Sequence, residues 1–326
     1  MKVVYINREP RKTGFSIEGI FNLIKASLKG RIEIGDYNLD PTHSRLANIL
    51  RIRKYAGDIN HVTGDVHFLL IGLPGRKNLL TIHDLVHYEK IRSQKLKHAL
   101  YHYFWFYFPL RNATYVTAIS QFTKDHLLSN FDYPAERIKI VYDPVKPIFE
   151  YVPKVNINPI PRILQIGSAQ HKNLPNLIEA VRGLNVHLDI VAFVAEAIIN
   201  RLKEYGISYT IYNGLTDEGI NERYVSCDML FFASFVEGFG MPIIEAQSVG
   251  RPVITSNSGA MKEVAEASAL LVDPHNVEEI RQAIMELANN RGRYDELVLA
   301  GRQNIKRFHH EKIAQDYLNV YEEMMR

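Results

Sequence analysis

Ser234-Phe-Val-Glu237-Gly238-Phe239-Gly240-Met241-Pro242-Ile-Ile-Glu245-Ala is the stretch that decides how this chain is read. The run before it, Asp228-Met-Leu-Phe-Phe-Ala-Ser234, is apolar and strand-like, and Pro242 suits the first turn of a helix, where a missing N–H costs nothing. The order is therefore strand, glycine loop, helix amino terminus. Unpaired N–H groups and the positive end of the helix dipole make such a terminus an anion site. Gly238 and Gly240 let the backbone approach a phosphate closely. Carboxylates do not bind phosphate, so Glu237 and Glu245 need another task. Accepting hydrogen bonds from hydroxyls, as on a sugar and a ribose, suits them.

Outward from that stretch, short apolar runs alternate with amphipathic segments along the whole chain. The expected strands are 2–7, 31–37, 66–72, 79–84, 114–120 and 138–142 in the first half. In the second half they are 162–167, 188–193, 209–212, 228–233, 253–256 and 270–272. Helices are expected over 17–28, 44–55, 94–106 and 121–130, the first marked by apolar residues at 17, 20, 21, 24 and 28. Repeated strand–helix–strand units imply parallel sheets with right-handed crossovers. The pattern restarts after Asp143–Pro161, a stretch with five prolines that reads as an extended linker. The expected organisation is a domain over 1–150, a second over 151–309, and a last helix over 310–326.

Bulk numbers agree with packed cores: 46% of the 326 residues are apolar and 23% charged. A single cysteine, Cys227, excludes a disulfide framework and any cysteine-based metal site, fits a reducing compartment, and reads as a small core residue. The amino terminus reads as a first strand rather than a signal peptide, and no run is long enough to span a membrane. Net charge is only +3, yet residues 1–150 hold 22 Lys+Arg against 14 Asp+Glu, and the remainder 17 against 22. A basic half suits an anionic lipid, a phosphorylated acceptor or nucleic acid; mutual attraction of the halves is the other explanation of the asymmetry.

Glu237 to Glu245 resembles the E-x7-E signature of retaining GT-B glycosyltransferases, in particular glycosyltransferase family four. Gly250-Arg-Pro252, Glu263-Val264, Leu271-Val-Asp273-Pro274 and, upstream, Ile166-Gly167-Ser168 with Lys172-Asn173-Leu174 resemble the same family in order and spacing. The resemblance implies a GT-B fold: two Rossmann-like parallel-sheet domains facing across a cleft, with a carboxyl-terminal helix crossing back to the first. It implies a cytoplasmic hexosyltransferase, retaining and metal-independent, that uses a UDP- or GDP-sugar as co-substrate and no cofactor. The acceptor would be a glycan or lipid-linked saccharide in polysaccharide or surface-glycan assembly.

By the same resemblance, Glu245 holds ribose hydroxyls, Glu237 contacts the transferred sugar, and Gly167, Ser168, Gly238, Phe239, Gly240 and Met241 line the sugar–diphosphate pocket. Lys172, after an expected strand, is placed to balance the diphosphate and stabilise the leaving group. Where the family often has Arg-Lys-Asn, this chain has His171-Lys172-Asn173, which leaves one cation fewer. His83, at the end of an expected strand, is a candidate to orient a hydroxyl or relay a proton. Asp84 either fixes its tautomer, touches the acceptor or caps the next segment. Arg11, Lys12 and Gly14 are candidates for acceptor contacts, and Ser120 for a helix cap. No Asp-x-Asp motif and no His-x-x-x-His spacing points to a metal.

Residues 90–111 carry five basic residues, no acid, and the run Tyr101-His-Tyr-Phe-Trp-Phe-Tyr-Phe108. Two readings stand: a helix lying on anionic lipid at the inner face of the plasma membrane, or one buried against the first sheet. Nucleic acid is not expected, because no binding motif accompanies the aromatics. Two other functions fit the signature, a nucleotide-sugar-binding protein without catalysis and a sugar-nucleotide epimerase of the same fold. The absence of Gly-x-Gly-x-x-Gly after either first strand argues against a dehydrogenase.

Overall fold

Parallel strands are covered on both faces and so read as continuous apolar runs, which is why Val3–Ile6 and Met229–Phe232 are wholly buried. The computed structural model describes residues 1–9 and 17–326, in two units: Met1–Pro144 with His310–Arg326, and Val145–His309. The first unit holds β1 (Lys2–Asn7), β2 (Glu33–Asn38), β3 (Ile59–Val62), β4 (Lys77–Ile82), β5 (Tyr115–Ala118) and β6 (Ile138–Ile140). Their order is β2-β1-β3-β4-β5-β6, and every pairing is parallel. The last helix, His310–Met325, belongs to this unit and packs on the Ile17–Leu28 helix. Ile20, Phe21 and Ile24 share one buried cluster with Ile313, Tyr317 and Tyr321.

Two expectations for this unit fail. Residues 66–72 are not a strand: His67–Gly72 is a 3-10 helix with five of its six residues buried. Short apolar runs do not distinguish a buried strand from a buried helical turn. The missing strand is β3, Ile-Asn-His-Val, disguised by two polar residues. Both are buried and satisfied. The Asn60 amide donates to Asn78 at 3.2 Å, and the His61 ring nitrogens lie 2.8 Å from the Tyr321 hydroxyl and 2.7 Å from that of Thr81. His310 is half-buried with Nδ1 at 2.9 Å from the Ser27 hydroxyl. Ser120 caps the Gln121–Asn130 helix, its oxygen accepting from the Thr123 N–H.

The second unit holds β7 (Arg162–Ile166), β8 (His187–Val191), β9 (Ser208–Tyr212), β10 (Met229–Phe232), β11 (Val253–Ser256) and β12 (Leu270–Val272). Their order, β12-β11-β10-β7-β8-β9, is the doubly wound Rossmann arrangement, whose strand order reverses between β7 and β10. Residues 145–161 form neither helix nor strand, as their prolines dictate, but they are not a loose linker. Phe149 is buried, its carbonyl accepts from the Ser248 hydroxyl, and the buried Arg251 guanidinium donates to Val152 O at 2.9 Å. Cys227 is buried, its thiol donating to Tyr224 O. Among the described residues, no helix is long and apolar enough to cross a membrane.

Candidate active site

Ligands of open α/β sheets bind beyond the carboxyl ends of the strands where the order reverses, and in the second unit that point lies between β7 and β10. Two loops leave the sheet there. After β7, Gly167 takes φ +89°, a left-handed conformation that favours glycine, and the Lys172 stem lies across it. A Cβ at Gly167 would sit 3.0 Å from Lys172 Cγ. The buried Gln165 amide donates to Gly167 O and Lys172 O, both at 3.0 Å, and closes this loop. Asn173 is also left-handed (φ 62°) and buried, and its amide donates to Ala233 O at 2.9 Å and Pro274 O at 2.7 Å. The Phe235 N–H donates to His171 O at 2.8 Å. The loops after β7 and β10 are thus fastened to each other.

That fastening brings together residues 65 apart in sequence. Lys172 Nζ lies 2.7 Å from Glu237 Oε1 and 4.7 Å from the centroid of the Phe232 ring. His171 Nε2 is 3.9 Å from the same Glu237 oxygen. Beyond Glu237, Gly240 takes φ +117° and opens the Met241–Val249 helix without any side-chain cap. Pro242 stands in the first turn, as expected. Glu245, on the same helix, is fully buried. Its Oε2 accepts from the Tyr224 hydroxyl at 2.8 Å, while Oε1 has no hydrogen-bond partner among the described residues. Burial pushes the Glu245 carboxyl up to about 7, against the lowering effects of the Tyr224 hydrogen bond and of Lys146. Ser168, at the same end of the sheet, donates its hydroxyl to Phe193 O at 2.6 Å.

The first-half candidates fall into two groups. Arg11, Lys12 and Gly14 lie outside the described residues. His83 follows β4, is half-buried, and donates Nε2–H to Thr63 O at 2.9 Å, which leaves Nδ1 as the ring's acceptor. Asp84 does not orient that ring; its carboxylate accepts from the Val86 N–H at 2.9 Å and caps the next turn. Near His83, the buried Asp143 carboxyl is pushed up by burial and drawn down by the imidazole. Sequence reading missed Gln165 and Tyr224, and quoted Asn173 within its motif without giving it a role. Only Asn173 left a signal, since Asn followed by Leu-Pro fits a left-handed residue before a helix start. Among the described residues, no group of three or more His, Cys, Asp or Glu could hold a metal ion.

Family models match on both sides of the boundary between the units: glycosyl transferases group 1 over residues 150–304 and glycosyltransferase family 4 over residues 31–147. The chain belongs to the group 1, family 4 glycosyltransferases. The following relatives of the chain are distant in sequence. The O-antigen chain mannosyltransferase B of Escherichia coli is 26% identical over 65% of this chain and 61% of its own length. An MMP alpha-(1->4)-mannosyltransferase of Mycolicibacterium hassiacum is 30% identical over 49% of this chain. This chain spans less than two thirds of either relative, 61% of the first and 43% of the second. An uncharacterized glycosyltransferase of Methanocaldococcus jannaschii is 24% identical over 99% of this chain and 86% of that protein. The fold is the GT-B fold of solved glycosyltransferases. Anabaena HepE, solved with UDP and glucose, has a TM-score of 0.77 at 17% identity, covering 99% of this chain and 100% of that one. A Rickettsia africae glycosyltransferase has a TM-score of 0.74 at 20% identity, covering 100% and 98%.

Proposed function

We propose that this glycosyltransferase moves a hexosyl unit, with retention at the anomeric carbon, from a nucleotide-diphosphate sugar to a glycan or lipid-linked saccharide. The observation that carries the reading is the grouping at the strand-order reversal of the second unit. An ion pair, Lys172–Glu237, stands before an uncapped helix end, and a buried carboxylate with one oxygen unpartnered among the described residues lies on that helix. The diphosphate takes the helix end and draws Lys172 away from Glu237, whose freed oxygens accept hydroxyls of the transferred sugar. Glu245 Oε1 accepts from the ribose hydroxyls. The mannosyltransferase relatives favour mannose as the sugar; the UDP of HepE makes a UDP-sugar the other donor to test.

Departure of the nucleoside diphosphate takes the electron pair of the C1–O bond and leaves an oxocarbenium-like carbon. The acceptor hydroxyl attacks from the face the diphosphate leaves, and its proton passes to the departing phosphate oxygen. Lys172 and the helix end stabilise the charge on that oxygen, and the remaining work is positioning. We assign the acceptor to the first unit, with His83 orienting a hydroxyl through Nδ1.

A panel of UDP-, GDP- and ADP-sugars in a thermal-shift assay, followed by turnover with the donor that binds, tests the reading. One donor should raise the melting temperature and be transferred or slowly hydrolysed, and EDTA should leave turnover unchanged. Binding without any turnover would favour a nucleotide-sugar-binding protein, and epimerised donor without acceptor would favour an epimerase.

A further inference from the structure

Two segments of the first unit contain no acidic residue and border one groove. One is the Arg45–Arg51 helix with the 3-10 turn Ile52–Tyr55. The other is the Lys95–Tyr101 helix, which runs through a π turn, His102–Tyr107, into the Phe108–Asn112 helix. A groove of about 640 Å³ lies between them, with Arg45, Leu46 and Ile49 on one side and Lys97, Leu100 and Phe104 on the other. The second segment settles the choice between core and surface by doing both. Phe106 and Leu110 are buried in the core, and Tyr101 and Trp105 pack against it. Trp105 Nε1–H and the Tyr101 hydroxyl donate to Asp65, at 2.7 and 3.3 Å, so the acid lining the groove is already occupied.

The outward face is different. Of the 19 large apolar side chains that are exposed among the described residues, nine lie on residues 45–55 and 95–112, under a tenth of the chain. Leu96 is 77% exposed, Leu46 and Leu50 each 66%, and Leu100 53%. On the second segment Tyr103, Tyr107 and Phe108 form a cluster of ring contacts, and Phe104 joins it through Phe108. The same two segments carry seven Lys and Arg. Arg45, Lys54, Lys95 and Lys97 make no ion pair with any described residue. The amide side chains of the segments are turned inward: Asn48 is buried, and the Asn112 amide donates to Leu70 O at 3.1 Å.

A protein partner would need directional polar contacts, about one per 100–200 Å² of interface; beyond the hydroxyls of the exposed Tyr55, Tyr103 and Tyr107, this face is dominated by cations and apolar surface. Leucines that reach the acyl boundary, tyrosines at headgroup depth and flanking lysines and arginines match an anionic bilayer. We propose that residues 45–55 and 95–112 form one membrane-docking face that holds the protein on anionic lipid.

Co-sedimentation of the whole protein with phosphatidylcholine vesicles, with and without phosphatidylglycerol, tests this. The wild type should partition onto the phosphatidylglycerol vesicles, less so as salt rises. Leu96→Gln/Phe104→Gln and, separately, Lys95→Glu/Lys97→Glu should each lower the partition coefficient roughly tenfold or more. All four positions are solvent-facing, and an unchanged melting temperature would show that the variants remain folded. No binding by the wild type, equal binding to vesicles without phosphatidylglycerol, or wild-type binding by both variants overturns the proposal. So does a lipid-free dimer that the same variants dissolve, which would assign the face to a second copy of the chain. The measurement uses neither donor nor acceptor, so its failure leaves the proposed reaction standing.

Discussion

Glu245 carries two demands on one carboxylate. Its Oε2 is held by Tyr224 and its Oε1 is buried without a described partner, and burial lifts its pKa to about 7. Between its ordinary value of 4.5 and about 7, the native state keeps a proton that the unfolded chain has released. Its contribution to stability is therefore complete below 4.5 and is lost as pH rises through 7. Hydroxyls donated to Oε1 would favour the ionised form, so donor binding in that window should release a proton. Calorimetric binding enthalpies at about pH 6 should then vary with the ionisation enthalpy of the buffer. In Glu245→Gln that variation should vanish, and Glu245→Ala should weaken donor binding. In the proposed reaction Lys172 faces the diphosphate of the donor. Lys172→Ala should lower kcat roughly 100- to 1000-fold while changing KM far less, because it removes charge stabilisation on the leaving group. Unchanged kinetics in both variants would remove the site.

At the scale of elements, the glycine loop and the helix it opens were legible from sequence because Gly-x-Gly and Pro242 are local signals. Val66–Gly72 was not. Its packing against the Arg45–Arg51 helix decides its conformation: a Cβ at Gly72 would lie 2.1 Å from Ile49 O, a backbone atom. Gly72→Ala should accordingly destabilise the fold by roughly 3 kcal/mol, read as a lower urea midpoint with unchanged slope. β3 was hidden for the opposite reason. Asn60 and His61 look solvated in sequence, and only their distant partners, Asn78, Thr81 and Tyr321, make them core residues.

At the scale of the molecule, the chain's last helix completes the unit built from its first 144 residues. The Tyr321 hydroxyl lies 2.8 Å from His61 and donates to Tyr5 at 3.1 Å, so one side chain ties that helix to β1 and β3. Tyr321→Phe should cost about 1–3 kcal/mol, the usual penalty for stranding a buried polar group. Burial drives the His61 ring down to about 3. Between there and its ordinary 6.5 the unfolded chain binds a proton the native state refuses. Stability should fall as pH drops through that range, and His61→Gln should flatten the dependence measured by urea unfolding.

The sequence by itself determined what depends on near neighbours. Strand–helix alternation set the two parallel sheets, prolines set a crossing without helix or strand between them, and the glycine loop set a helix terminus flanked by two carboxylates. Tertiary structure alone decided the pairing of Lys172 with Glu237, the orphaned oxygen of Glu245 and the two-helix face bearing Leu46 and Leu100. Each of these depends on which distant atoms arrive at a given point, and arrival follows from strand order and packing, neither of which is encoded within any short window of residues.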